Sequence, residues 1–333
     1  WPLMTAKVLH QKTGLHWTDQ SLHYVRTIWI FFGLLVLAAL NARAAPAVLA
    51  SGLIALCLEP TLRNEMFDLS QLYAWQLPAL FLAWFCLRHL LAQRLRSDEA
   101  ASVRAHAIFW SAAFYFCALL AIWSSVASAP FLAVLVTLET LRSHFLFKKI
   151  ITKQRIGLAI VVLLAAAASE FLIKKNYHRH SLKHFGNDFK TVMTLDFGYL
   201  YENLLRNWHN VVQFSFFPLI VVALCFLVGA VGLILYQRIA GKGPLLTRVF
   251  EDETFTMVVA LTAMAALNFV IMISVNHVRI NLYRDRFQVP TYFFGAVSGL
   301  LVIYLAIRIF ADRITVTRYA LPLVLAFAFI FLG

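Results

Sequence analysis

The chain carries little charge for its length. Only 14% of its 333 residues are Asp, Glu, Lys or Arg, and acidic residues are the scarcer, 16 against 29 basic ones. A soluble globular domain carries roughly a quarter charged residues, so composition argues against a water-soluble enzyme. Cysteine is sparse too. Cys57, Cys86, Cys117 and Cys225 fall inside apolar runs, and none has CxxC or Cys/His spacing. That spacing supports neither a disulfide framework nor a zinc site, and the four read as small core residues. A P-loop, GxSxG, HExxH and a dinucleotide fingerprint are all missing, which removes the nucleotide- and metal-dependent classes those motifs serve. Carboxylates inside the apolar runs are limited to Glu139 and Glu170, the latter near the end of its run. An ion-coupled transporter usually carries more intramembrane charge, and midplane helices broken by Gly and Pro are also lacking.

What is abundant is hydrocarbon. Hydrophobic residues make up 61% of the chain, and the mean hydropathy is +0.76. Crossing ~30 Å of hydrocarbon takes roughly 17 to 25 apolar residues. Candidate spans lie near 28–42, 44–58, 72–90, 106–125, 129–145, 156–173, 211–236, 254–275, 291–310 and 319–333. The first two are short and share Arg43, as a tight helical hairpin would. The sequence therefore predicts an all-α polytopic transmembrane bundle of about ten spans. It forms a single membrane domain over 1–333, without internal repeat or soluble domain. The net charge of +13 is scattered through connections between apolar runs. That distribution fits anionic lipid head groups or phosphorylated ligands and argues against nucleic acid as a partner.

Sixteen of the 29 basic residues fall in the connections holding Arg43, Arg88 to Arg104, Arg142 to Arg155, Arg238 to Arg248 and Arg308 to Arg318. The positive-inside rule makes that side cytoplasmic. The opposite, outer side then holds residues 1–27, the connection 59–71, the long loop 174–210 and the stretch "NHVRINLYRDRFQVP", residues 276–290. Residues 1–27 alternate Leu3, Val8, Leu9, Leu15 and Trp17 with Lys7, His10, Lys12, His16 and Asp19. Such a segment lies in the interface plane as an amphipathic juxtamembrane element. The chain opens on Trp1 without an initiator Met or signal peptide, and the reading expects a further span upstream.

Three outer groups are candidates for chemistry. "EPTLRNEMFDLSQ" offers Glu59, Arg63, Glu65 and Asp68. These supply a general base or hold a divalent cation, or else they are a solvated loop marking the interface. "NHVRINLYRDRFQVP" places Arg279, Arg284 and Arg286 around Asp285, a basic cluster on the side the positive-inside rule leaves poor. If helix continues through it, Asn276, Arg279, Tyr283 and Arg286 at i, i+3, i+7 and i+10 share one face. Guanidinium forks match phosphate oxygens bidentately, although Asp285 alone can hold a neighbouring arginine structurally. The long loop 174–210 is first basic, with His178, His180 and His184, and then aromatic. Phe197, Tyr199, Tyr201, Leu204, Leu205 and Trp208 read as an interfacial helix, suited either to stacking on sugar rings or to an aromatic belt.

The stretches "WPLMTAKVLHQKTGLHW", "RTIWIFFGLLVLAALNARAAPAVLASGLIALCLEP" and "FDLSQLYAWQLPALFLAWFCLRHLL", with "RFQVP" later, resemble polytopic lipid-linked glycosyltransferases of the C-type fold. These include protein O-mannosyltransferases and aminoarabinose transferases. The resemblance covers residues 1 to 100 and, more loosely, 270 to 310. It implies an enzyme of the bacterial inner membrane, active face periplasmic, moving a sugar from a polyprenyl-phosphate carrier to an acceptor. On that reading Arg279, Tyr283, Arg284, Arg286, Arg63 and Lys7 bind substrate, while Asp68 and Glu59 handle the acceptor or a divalent cation. Asp68 and at least two of the arginines are then expected to line one outward-opening cavity. The family's proposed catalytic aspartate lies upstream of the juxtamembrane segment, a position with no counterpart after Trp1. Two other readings stay open. One is a non-catalytic scaffold subunit within a complex with a partner protein, and the other is a lipid or polysaccharide transporter.

Overall fold

A computed structural model of the chain describes residues 19–40, Glu59, Leu62, 73–93, 101–124, 128–147, 197–239, 252–274 and 284–311. Among the described residues there are eight helices and no strand. They are α1 (Asp19–Ala39), α2 (Tyr73–Gln93), α3 (Ala101–Ser124), α4 (Ser128–Phe147), α5 (Phe197–Val212), α6 (Phe217–Ile239), α7 (Glu253–Ser274) and α8 (Arg284–Ala311). Four stretches are long and apolar enough to cross a membrane: Ala105–Ser124, Phe217–Tyr236, Glu253–Ile273 and Gln288–Ala306. The described residues are thus all-helical, and four of their helices have the length and composition to cross a membrane. The expected spans 44–58, 156–173 and 319–333 lie outside the described residues, so ten spans remain an expectation.

Three boundaries differ from the sequence reading, each for a physical reason. The surface segment expected over 1–27 is helical from Asp19 and runs unbroken into α1. No Gly or Pro interrupts residues 19–32, and Arg26, expected outside, is fully buried. The span expected at 211–236 starts later, at Phe217, because residues 211–212 close α5 and a turn at residues 213–216 precedes α6. Phe214 and Phe217 donate backbone N–H bonds to the carbonyls of Val211 and Phe214 at 3.3 and 2.9 Å, and Pro218 follows in the first turn of α6. There its missing N–H costs nothing. The span expected from 291 begins seven residues earlier, at Arg284, because the helix continues through Pro290. Proline is a probable boundary, and a helix held by its neighbours can carry it.

Packing relies on close approach as much as on bulk. Phe81 of α2 meets Phe293 and Phe294 of α8 at ring-centroid distances of 5.9 and 6.4 Å, and Phe131 of α4 meets Phe294 at 5.4 Å. Gly33 of α1 lies so near Pro78 of α2 that a β-carbon there would stand 2.6 Å from the proline Cβ. In α8, Gly295 and Gly299 are four residues apart and face the start of α6. A β-carbon at Gly295 would lie 2.9 Å from Ile220 Cγ1, and one at Gly299 would collide with the Leu219 backbone. A pair of glycines four apart lets helices approach backbone to backbone, the usual source of affinity between helices in lipid. By contrast α6 presents Val221, Leu224, Val228, Val231, Leu233 and Leu235 outward, with only 11% of its span buried. An apolar face of that extent suits hydrocarbon, not water.

Candidate functional site

Polar contacts divide the helix ends into two groups, and the division matches the two sides read from the sequence. The first group joins the ends of α1, α2 and α4 to the start of α7. Arg88 Nε and Trp84 Nε1 both donate to Glu139 Oε1 at 2.6 Å, and Arg88 also donates to the Leu40 carbonyl at 2.6 Å. Arg142 bridges Glu139 and Glu253, at 3.5 Å to each. The Arg88 guanidinium lies 5.2 Å from the centroid of the Trp84 ring, a cation–π distance. Asp252 caps α7 by accepting from the Thr254 and Phe255 N–H groups at 2.8 and 3.2 Å. Glu139 is buried, as its place inside an apolar run implied. Two guanidiniums against two carboxylates leave the cluster neutral, the condition under which buried charge is tolerable.

The second group lies at the other end and is built from neutral amides. The last carbonyls of α7 have no partner inside their own helix. Asn203 of α5 donates to the Ile273 carbonyl at 3.0 Å, and Asn207 donates to that of Met272 at 3.4 Å. Gln288 of α8 in turn donates to Asn207 Oδ1 at 2.5 Å, and Asn268 donates to Thr291 Oγ1 at 2.8 Å. Phe214 stacks on Tyr292 with ring centroids 4.5 Å apart, fixing the α5–α6 turn against α8. Gln76 and Gln288 are fully buried. Both side-chain polar atoms of Gln76 and Oε1 of Gln288 find no hydrogen-bond partner among the described residues.

Glu59 belongs to this same end. Its Oε2 accepts the Leu62 N–H at 2.7 Å and its Oε1 accepts the Ser215 hydroxyl at 3.3 Å, while the side chain is buried. Both oxygens are therefore engaged in holding the connection after residue 58 against the α5–α6 turn. Arg284 and Arg286 stand in the first turn of α8, four and two residues before Gln288. Asp68, Arg63, Lys7, Arg279 and Tyr283 lie outside the described residues, and so does the cavity expected between Asp68 and the arginines. No group of three or more His, Cys, Asp or Glu suited to a metal ion occurs among the described residues.

The amide cluster was not foreseen. Its signal was Asn203 and Asn207, four apart on an otherwise aromatic helix, a spacing that puts two amides on one face. Comparison of the chain with protein-family models, curated proteins and solved structures found no match.

Proposed function

We propose that the chain is a membrane glycosyltransferase that takes a sugar from a polyprenyl-phosphate carrier to an acceptor. Its working end is the one where α8 begins. The observation that carries this reading is the cationic start of α8. Helix N-termini carry a partial positive charge that favours acidic residues. Here Arg284 and Arg286 flank a single Asp285 in the first turn. Positive side chains at a positive helix end repel one another unless an anion offsets them. Guanidiniums plus free N–H groups are a combination that binds phosphate. The resemblance to lipid-linked glycosyltransferases supplies the anion's identity. In this reading Asp68 activates the acceptor, and the carrier phosphate departs with its charge held by the arginines. Glu59, with both oxygens engaged, positions the connection that bears Asp68.

That engagement of Glu59 also favours a second reading, a non-catalytic membrane subunit whose outer end only anchors head groups. Carrier binding separates the two. Arg286→Ala should weaken binding of a polyprenyl phosphate to the purified protein by roughly 10- to 150-fold, the effect of losing a charge-assisted hydrogen bond worth about 1.5–3 kcal/mol. Thermal stability should hardly change. Arg286→Lys should restore only part of the loss, because ammonium cannot fork. Equal carrier affinity in all three proteins would leave the scaffold reading standing.

A further inference from the structure

Helix α5 has three faces, and only two are accounted for. At about 100° per residue, its side chains fall into three stripes some 120° apart. Asn203, Asn207 and Val211 form the first, which turns toward the bundle. Asn203 and Val211 are buried there, and the amides cap α7 as described. Glu202, Arg206 and His209 form the second, solvated and joined by a Glu202–Arg206 pair at 3.5 Å. Phe197, Tyr201, Leu204, Leu205, Trp208 and Val212 form the third, and every one of them is exposed, Tyr201 by 61% and Leu205 by 49%. A helix resting on a protein in water turns its apolar stripe inward. Here the inward stripe is amide-rich and the large apolar stripe is bare.

We propose that the third stripe is a membrane-binding surface, seated in the boundary between lipid head groups and acyl chains, so that α5 lies along the bilayer with one face each to protein, lipid and water. Continuity decides the occupant. Trp208 packs edge-on against Phe217 at the head of α6, with ring centroids 5.6 Å apart. The aromatic stripe therefore runs into the outward apolar face of α6, which has membrane-spanning length and is almost unburied. Burying one face in hydrocarbon while stopping its continuation in water would leave a step at Trp208 with nothing to fill it. Tyr and Trp favour that boundary because their rings are apolar and their tips polar. The charged stripe, turned about 120° away, stays in the aqueous layer. Since the amides fix α5 to both α7 and the residues just below the arginine turn, the bilayer surface sets the height of that turn. The inference holds whether or not the chain transfers sugar.

Spin labels test it in the full-length chain. Cys57, Cys86, Cys117 and Cys225 are replaced by Ala or Ser, and single cysteines are then placed along 201–209. The protein is reconstituted in vesicles of phosphatidylethanolamine and phosphatidylglycerol. Relaxation by oxygen should exceed relaxation by a water-soluble nickel chelate at 201, 205 and 208, and the ratio should invert at 202, 206 and 209. Nickel access that is uniform around the helix would put the stripe in water and overturn the proposal. Labels at 201, 205 and 208 shielded from both reagents would mean that protein, a second copy or another chain, covers the stripe, and that outcome overturns it equally.

Discussion

The two ends of the bundle solve the same problem with different chemistry. Each must satisfy polar groups where helices finish, within a protein whose outer surface is largely apolar. One end uses ions: Glu139 takes Arg88, Trp84 and Arg142, and Arg142 passes on to Glu253. The other uses amides: Asn203 and Asn207 cap α7, and Gln288 holds Asn207. The ionic cluster is charge-balanced, and among the described residues one Arg88 nitrogen is its only buried orphan. The amide end leaves three buried side-chain atoms, on Gln76 and Gln288, without partners among the described residues. A satisfied ionic network is rigid and costly to disturb, whereas neutral amides exchange partners cheaply. The charged end is thus built as a clamp. The amide end, beside the arginine turn, is the less fully satisfied of the two among the described residues.

The comparison breaks first at Glu139. Glu139→Ala takes the carboxylate from the buried Arg88 guanidinium and the Trp84 indole N–H, so unfolding in detergent should become easier by about 3–5 kcal/mol. Removing charge from both sides, as in Glu139→Leu with Arg88→Met, should recover most of that loss, because the cost lies in the unpaired charge and not in the missing bond. A single variant that unfolds within about 1 kcal/mol of wild type, the scale of a surface pair, would mean that water reaches the cluster and that the two ends do not differ in kind.

Glycine contacts give the next effect. Gly299→Ala drives a β-carbon into the Leu219 backbone, where no side chain can yield. It should cost about 1–3 kcal/mol by forcing α6 from α8. Gly229 and Gly232 of α6 meet nothing within 4 Å, so alanine there should be neutral or gain up to about 1 kcal/mol from helix propensity. Equal losses at all three positions would show that backbone approach is not what Gly299 provides.

How much of this was legible depends on the kind of signal. Apolar run length located seven of the described helices, because hydrocarbon thickness acts on every residue in a span alike. It began the α6 span at 211, six residues early, because Val211, Val212, Phe214 and Phe216 extend the apolar run back across the end of α5 and the turn at 213–216. It began α8 at 291, where the apolar run starts, although the helix extends back through Pro290 to Arg284. Glu139 was legible as the odd carboxylate in an apolar run. Its partners were not, because Arg88 is 51 residues away and only the crossing of α2 with α4 brings the two together. At the candidate site the arginines were visible by their sign, on a side that should be poor in them. The amides were not, as uncharged residues give no charge signal and their partners on α7 and α8 lie more than 60 residues away.

At the amide end, Asn207→Ala removes one bond to Met272 and the acceptor for Gln288. The expected loss is about 0.5–1.5 kcal/mol, well below that at Glu139. It should be accompanied by faster hydrogen exchange in the first turns of α8, while α4 is unchanged. A loss as large as Glu139→Ala would erase the distinction between clamp and amide end.

The smallest effect sharpens the comparison most, because it holds distance constant. Arg142 sits 3.5 Å from Glu139 and Arg206 sits 3.5 Å from Glu202. The first pair is nearly out of solvent, with side chains 15% and 4% exposed, and the second is open at 48% and 68%. Exposed pairs four residues apart on a helix contribute about 0.3–0.5 kcal/mol, so Arg206→Ala should lie near the limit of detection. Salt separates the two pairs. At 1 M ionic strength the Debye length falls to about 3 Å, which should abolish the effect of Arg206→Ala while leaving most of that of Arg142→Ala. Unfolding of both variants and wild type in low and high salt reads this directly. If salt erased both effects alike, the Glu139 cluster would have to be open to water, and the clamp would be a surface feature after all.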